Sequence, residues 1–258
     1  MRHPSITSMI RTSAGILFAI LFSMSATTLL QAAEVRVAVA ANFTDAAKEI
    51  GALFEKKTNH KAVFSFGSTG QLYTQITQDA PFEVFLSADQ ERPKKAVSDN
   101  LAVPDSLFTY ATGKIVLFSK DKGLVKGEAI LKDGKFTKIA IANPTTAPYG
   151  AAAVETLKAL GVYDTLSSKI VQGNNIAQTY QFVDTGNAEL GFVALSQVAG
   201  HDDGSRWIVP EKLYTTIAQD AVLLKRGADN EAARAFVAFL KGPEARAVKE
   251  KYGYGPGE

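Results

Sequence analysis

Apolar and polar positions switch between two periods along most of this chain. Val35-Arg-Val-Ala-Val-Ala40 is a short β-rich run, and after a polar break the segment Asp45 to Lys57 places Ala46, Ala47, Ile50, Leu53 and Phe54 at helical spacing. The unit recurs as Ala62-Val-Phe-Ser-Phe66, then Gly67-Ser-Thr-Gly70, then a helix that brings Leu72 and Ile76 to one side. In a third unit Val84-Phe-Leu-Ser87 leads through Asp89 into a helix whose Pro93 lies close enough to the start to be tolerated. Alternating strands and helices predict an α/β fold of parallel-rich sheets with helices on both faces.

After Asn100 the rhythm changes. Phe108-Thr-Tyr110 and Ile115-Val-Leu-Phe-Ser119 are β-rich runs separated by Ala111-Thr-Gly-Lys114, and a new α/β series follows. Ile139-Ala-Ile-Ala142 leads through Asn143 to Gly150 into a helix ending near Leu160; Lys169-Ile-Val-Gln172 leads through Gly173-Asn-Asn175 into a helix with Ala177, Tyr180 and Val183 along one face. Leu190-Gly-Phe-Val-Ala194 reads as a buried strand, Thr215 to Lys225 as a β-rich stretch, and Asn230 to Leu240 and Pro243 to Tyr252 as two closing helices. No Pro/Gly/Ser-rich linker divides the series. We therefore expect two lobes joined by strands that cross between them: residues 33–113, completed by about 216–258, and residues 114–215, with a cleft between.

The first 32 residues read as an address. Arg2 and Arg11 make a basic start, Gly15 to Phe22 is an apolar stretch too short to span a bilayer, and Leu30-Gln-Ala32 supplies small residues for cleavage near Ala32. Export to the periplasm is the expectation, and it changes the charge balance. The chain has 28 Lys+Arg and 26 Asp+Glu, so losing Arg2 and Arg11 leaves 26 basic residues facing 26 acidic ones. A neutral mature chain offers no basic field for nucleic acid. With no cysteine, a disulfide framework, a thiolate metal site and a cysteine nucleophile are excluded together. His60 and His201, the two histidines beyond the signal, supply a metal site or a catalytic triad only thinly.

The chemistry falls in the loops that feed helices. Ala41-Asn-Phe-Thr44, Gly67-Ser-Thr-Gly70, Ala147-Pro-Tyr-Gly150 and Gly173-Asn-Asn-Ile176 are short, uncharged and rich in amide, hydroxyl or glycine. In an α/β sheet such loops gather at the carboxyl ends of the strands, where ligands bind. A helix start presents unpaired N–H groups and partial positive charge, so it holds an anion without lysine or arginine. Any one loop is equally well read as a cap for its helix, with Asn42, Thr44, Ser68 or Thr69 as capping residue. Four of one type, split between two lobes and free of carboxylates, suit a dehydrated oxyanion. An exported hydrolase with Ser68 or Ser87 as nucleophile and His60 or His201 as base is the competing reading, but Phe66-Gly-Ser-Thr-Gly70 lacks the first glycine of a nucleophile elbow.

Several segments resemble a known family. Residues 37–44 (Val-Ala-Val-Ala-Ala-Asn-Phe-Thr), 65–73 (Ser-Phe-Gly-Ser-Thr-Gly-Gln-Leu-Tyr), 80–89, Tyr110-Ala-Thr-Gly-Lys114 and Leu240-Lys-Gly-Pro-Glu-Ala245 are similar, in order, to the periplasmic molybdate-binding proteins of ABC importers, in the branch whose first loop reads Asn-Phe. The resemblance implies the two-lobed periplasmic binding protein fold of type II. It also implies capture of molybdate or tungstate and delivery to a membrane permease by a monomer with no cofactor, no directly bound metal and no catalysis. Sulfate, phosphate or another tetrahedral oxyanion is the alternative ligand. Carried over by position, the ligand contacts fall on Asn42, Thr69, Tyr149 and Ile176, with Ala41 and Ser68 as second choices. Asn42 and Thr69 would give side-chain and backbone donors, Tyr149 and Ile176 mainly backbone N–H groups. The chain departs from the commoner pattern at Asn42, where many members have serine, and at Ala194, where they place a ligand-contacting tyrosine.

Overall fold

In the computed structural model, which describes residues 32–200 and 202–257, the expected α/β series is present almost element for element. The first part runs β1 (Glu34–Ala40), α1 (Thr44–Thr58), β2 (Lys61–Gly67), α2 (Thr69–Thr77), β3 (Val84–Leu86), α3 (Glu91–Ser98) and β4 (Phe108–Gly113). The second runs β5 (Ile115–Ser119), α4 (Ala129–Asp133), β6 (Ile139–Ala142), α5 (Pro148–Ala159), α6 (Tyr163–Leu166), β7 (Ile170–Gly173), α7 (Ile176–Asp184), β8 (Leu190–Ala194), α8 (Leu195–Val198) and β9 (Ser205–Ile208). The chain then returns through β10 (Ile217–Leu223) to α9 (Glu231–Leu240) and α10 (Pro243–Lys251). The expected export signal and His201 lie outside the described residues, and among the described residues no helix is long and apolar enough to cross a membrane.

Two five-stranded sheets result, ordered β2-β1-β3-β10-β4 and β7-β6-β8-β5-β9. Pairing is mixed. β1 is parallel to β2 and β3, and β6 to β7 and β8, as alternating strands and helices require. β10 is antiparallel to β3 and β4, and β5 to β8 and β9, because these strands enter from the other sheet. Both sheets are covered on both faces. Val35, Val37 and Val39 of β1 pack with Phe54 of α1 and Phe236 of α9, while Ala38 packs with Leu72 and Ile76 of α2 on the opposite face. In the second sheet Leu117 and Ile141 face Ala153 and Leu157 of α5, and Val116 and Ala140 face Val183 of α7. Burying such side chains contributes roughly 1.5–3 kcal/mol each.

The helical phase of α7 differs from the expectation. Ile176, Thr179 and Val183 form its buried face and Ala177 is exposed, since Asn175 starts the helix and brings Ile176 round to the sheet. In α1, Leu53 is only half-buried and Gly51 is buried in its place.

Two connections carry the chain between sheets. Lys114 alone separates β4 from β5, and residues 209–216 join β9 to β10. The two lie side by side: Gly113 pairs with Ile217, Thr112 with Ala218 and Ala111 with Gln219, after which a register shift falls between Gln219 and Asp220. Such a bulge redirects side chains at the strand edge.

Candidate ligand-binding site

All four neutral loops end at the carboxyl ends of parallel strands, each entering a helix. β1 passes through a short 3-10 turn, Ala41–Phe43, into α1. Phe43 anchors the turn, its ring edge-on to Tyr110 at 4.9 Å and to Tyr254 at 5.1 Å. After β2, Ser68 takes the extended N-cap conformation ahead of α2, yet its side chain makes no capping hydrogen bond. Ahead of α5, Pro148 occupies the first helical position, so the first N–H of that helix belongs to Tyr149. Gly150 lets the helix start directly over β6, since a Cβ there would lie 2.7 Å from the Ala142 carbonyl carbon. At α7, Asn175 caps the helix by accepting from the Gln178 N–H at 3.0 Å, which leaves the N–H groups of the first two residues to other partners.

These starts converge. One small cavity of about 10 Å³ is lined by all six residues expected at the site, Ala41, Asn42, Ser68, Thr69, Tyr149 and Ile176, and all six are buried. A volume of that order is roughly one water's worth. No Asp, Glu, Lys, Arg or His lines it. Four helix N-termini, each with about half a positive charge, thus face a space that contains no competing carboxylate. Thr69 Oγ1 accepts from the Ala88 N–H at 2.9 Å and keeps its own O–H to donate. Ser68 Oγ is buried with no hydrogen-bond partner, the one such side-chain atom among the described residues lining the cavity. Native proteins leave few groups in that state, and an unmet donor facing a space free of charged side chains is a ready contact.

Asn42 departs from the expectation. Its Nδ2 donates away from the cavity, to Gln219 Oε1 at 2.9 Å and Tyr254 Oη at 3.0 Å, and its carbonyl accepts from Tyr254 Oη at 2.7 Å and Ser196 Oγ at 2.8 Å. An amide nitrogen has two N–H groups, so what Asn42 offers a ligand is its backbone N–H. Tyr149 is bonded on the same side, its Oη accepting from Gln219 Nε2 at 3.2 Å. Burial raises the Tyr149 and Tyr110 hydroxyls well above the ordinary phenol range, so both stay protonated donors. Ala194 does not line the cavity; its N–H donates to Gln197 Oε1 at 2.9 Å, and Gln197 Nε2 donates to the Ile176 carbonyl at 3.1 Å. Gln219, Tyr254 and Gln197 are supporting residues that sequence reasoning missed. The signal for Gln219 was present, as a neutral polar residue inside the apolar run of β10.

Two contacts join the loop after β6 to residues following β2 and β3. The Gly70 N–H donates to the Thr146 carbonyl at 2.8 Å, and Arg92 Nη2 donates to the Thr145 carbonyl at 3.1 Å. Among the described residues, which leave out His201, the hydrolase alternative finds no geometry. His60 is buried before β2, its Nδ1 accepting from the Ala33 N–H, whereas Ser68 follows β2. A strand of that length separates them by roughly 20 Å. Ser87 donates to Asp89 Oδ1 at 3.0 Å instead.

Comparison with known proteins fits this geometry. The family described as bacterial extracellular solute-binding protein matches residues 35–255. The molybdate-binding protein ModA of Rhodobacter capsulatus is 58% identical over 223 residues, 86% of this chain and 88% of that one. Its counterpart from Azotobacter vinelandii is 56% identical over 229 residues, 87% of this chain and 91% of that one. A solved structure of an Azotobacter vinelandii periplasmic molybdate-binding protein superposes with a TM-score of 0.83 at 40% identity, covering 86% of this chain and 98% of that one. A match over nearly all of the described residues, with relatives more than half identical, shows that the chain belongs to the bacterial extracellular solute-binding proteins.

Proposed function

We propose that this protein captures molybdate, and tungstate as its near analogue, in the cavity at the four helix starts and delivers it to the membrane permease of an ABC importer. Residues 1–32 direct export and are removed near Ala32, and the mature chain works as a periplasmic monomer without catalysis. Residues 33–113 with 216–258 form one lobe and 114–215 the other, a division supported by the two sheets and their two crossing connections. Thr69, Ser68 and Asn42 would meet the anion from the first lobe and Tyr149 and Ile176 from the second, with Ala41 flanking.

The observation that carries this reading is the buried, partnerless Ser68 Oγ in a cavity without charged side chains. Hydrogen bonds to a charged group contribute about 1.5–3 kcal/mol each, so a handful of neutral donors binds a fully ionised oxyanion firmly after the cost of association. The molybdate-binding names of relatives 58% and 56% identical point to the same ligand.

Thermal unfolding tests it. Molybdate at a hundredfold excess over its dissociation constant stabilises the folded form by about 2.7 kcal/mol, which for a chain of this size raises the melting temperature by roughly 5–10 °C. Sulfate at the same concentration should give less than half that shift. Equal shifts would contradict the molybdate assignment and leave a general anion-binding protein.

A further inference from the structure

Behind the cavity a polar cluster gathers where the two connections cross. Gln219, fully buried on β10, accepts at Oε1 from Asn42 Nδ2 at 2.9 Å and lies 3.0 Å from Tyr110 Oη; its Nε2 donates to Tyr149 Oη at 3.2 Å. The Tyr110 hydroxyl shares its one proton between Gln219 Oε1 and the Ser87 carbonyl, 3.1 Å away. Asp220, beyond the register shift, belongs to a separate set, accepting from Thr109 Oγ1 at 2.7 Å and Gln90 Nε2 at 3.1 Å. Gln219 therefore touches only residues of the cavity wall and the crossing.

We propose that Gln219 is a positioning residue for ligand capture: its carboxamide joins Asn42, on the turn after β1, to Tyr149, at the start of α5, and so fixes the distance between the two sides' backbone donors. The proposal rests on the reading of the cavity as the oxyanion site. Asn42 and Tyr149 both line the cavity and both bond Gln219 through their side chains, more closely than the 3.5 Å at which they meet each other, so one amide ties together two cavity residues that come from different sheets. A carboxamide suits the task because it accepts from one side and donates to the other. A buried network of this kind holds a single arrangement only while every member is paired. Gln219 lies outside the cavity lining and acts on the anion through its two neighbours.

The test is a calorimetric cycle with sodium molybdate on the mature chain, Gln219→Leu, Tyr149→Phe and the double variant, alongside ligand-free melting curves. Tyr149→Phe keeps the backbone N–H and deletes only the hydroxyl, which meets Gln219 Nε2 at 3.2 Å and Asn42 Nδ2 more distantly at 3.5 Å, so the double variant is needed to assign the loss to Gln219. Each single variant should weaken molybdate binding about tenfold, and the double variant should be little weaker than either single one. Tyr149→Phe should do so while its ligand-free melting temperature falls by only a few degrees, as the loss of one buried hydrogen bond requires. Unchanged affinity in Tyr149→Phe, or losses that multiply in the double variant, would overturn the proposal. A parent chain that binds no molybdate would instead remove the oxyanion reading itself, before any variant is compared, and the positioning role with it.

Discussion

Gly113→Ala is expected to lower molybdate affinity at least about a hundredfold, measured by calorimetry well below the melting temperature. A Cβ at position 113 would lie 2.5 Å from Gln219 Nε2 and 2.9 Å from Tyr149 Cζ, and closer still to the tyrosine hydroxyl. The Tyr149 ring is buried in the core of the second sheet beside Ile115 and Ala152 and has no free rotamer space to retreat into. Overpacking of that kind costs roughly 1–3 kcal/mol. Displacing Tyr149 also breaks its bond to Gln219, adding about 1 kcal/mol. Because Gly113 ends β4 one residue before the chain enters the other sheet, relief requires moving the crossing strands or α5, and either shift carries a helix start away from the anion. Affinity within threefold of the parent would show that the crossing and the cavity are independent.

Ser68→Ala should separate binding from stability. Ser68 Oγ has no hydrogen-bond partner within the protein, so its removal forfeits no bond of the fold itself. The melting temperature without ligand should hold or rise slightly. With molybdate present the same hydroxyl donates to a charged oxygen, and its loss should cost about 1.5–3 kcal/mol, or roughly ten- to a hundredfold in affinity. A variant that melts lower and binds as the parent does would make Ser68 a structural residue and remove the strongest support for the site. Thr69→Val is a weaker probe, because Thr69 Oγ1 also holds the Ala88 N–H and its loss would disturb both states.

Much of this was legible in the residues. The four loops stood out because each follows a β-rich run, precedes a helical period and carries no charge, and physical chemistry sends such loops to one end of a parallel sheet. Hence the four loops could be placed together before any fold was known, while the choice of Asn42, Thr69, Tyr149 and Ile176 within them, with Ala41 and Ser68 as second choices, came from the family resemblance. Strand direction was not legible: β5 and β10 look like their neighbours, and they run antiparallel because the path between sheets brings them in from the far end. β9 escaped notice because Ser205-Arg-Trp-Ile208 is short and pairs only along one edge of its sheet. The side-chain direction of Asn42 was also beyond reach, since it depends on Gln219 and Tyr254, 177 and 212 positions away. Sequence spacing identifies which backbone reaches a ligand more readily than which side chain does, for the backbone donors follow from local helix starts and the side-chain partners from long-range packing.

Calorimetric titration of the purified mature chain with molybdate, tungstate and sulfate in turn decides whether neutral donors capture a molybdenum-group oxyanion. One site per chain should take molybdate and tungstate with similar affinity and hold sulfate at least about a hundredfold more weakly, because specificity is a difference of affinities set by the fit of the cavity. Sulfate binding as tight as molybdate binding, or heat from none of the three anions, would contradict that capture.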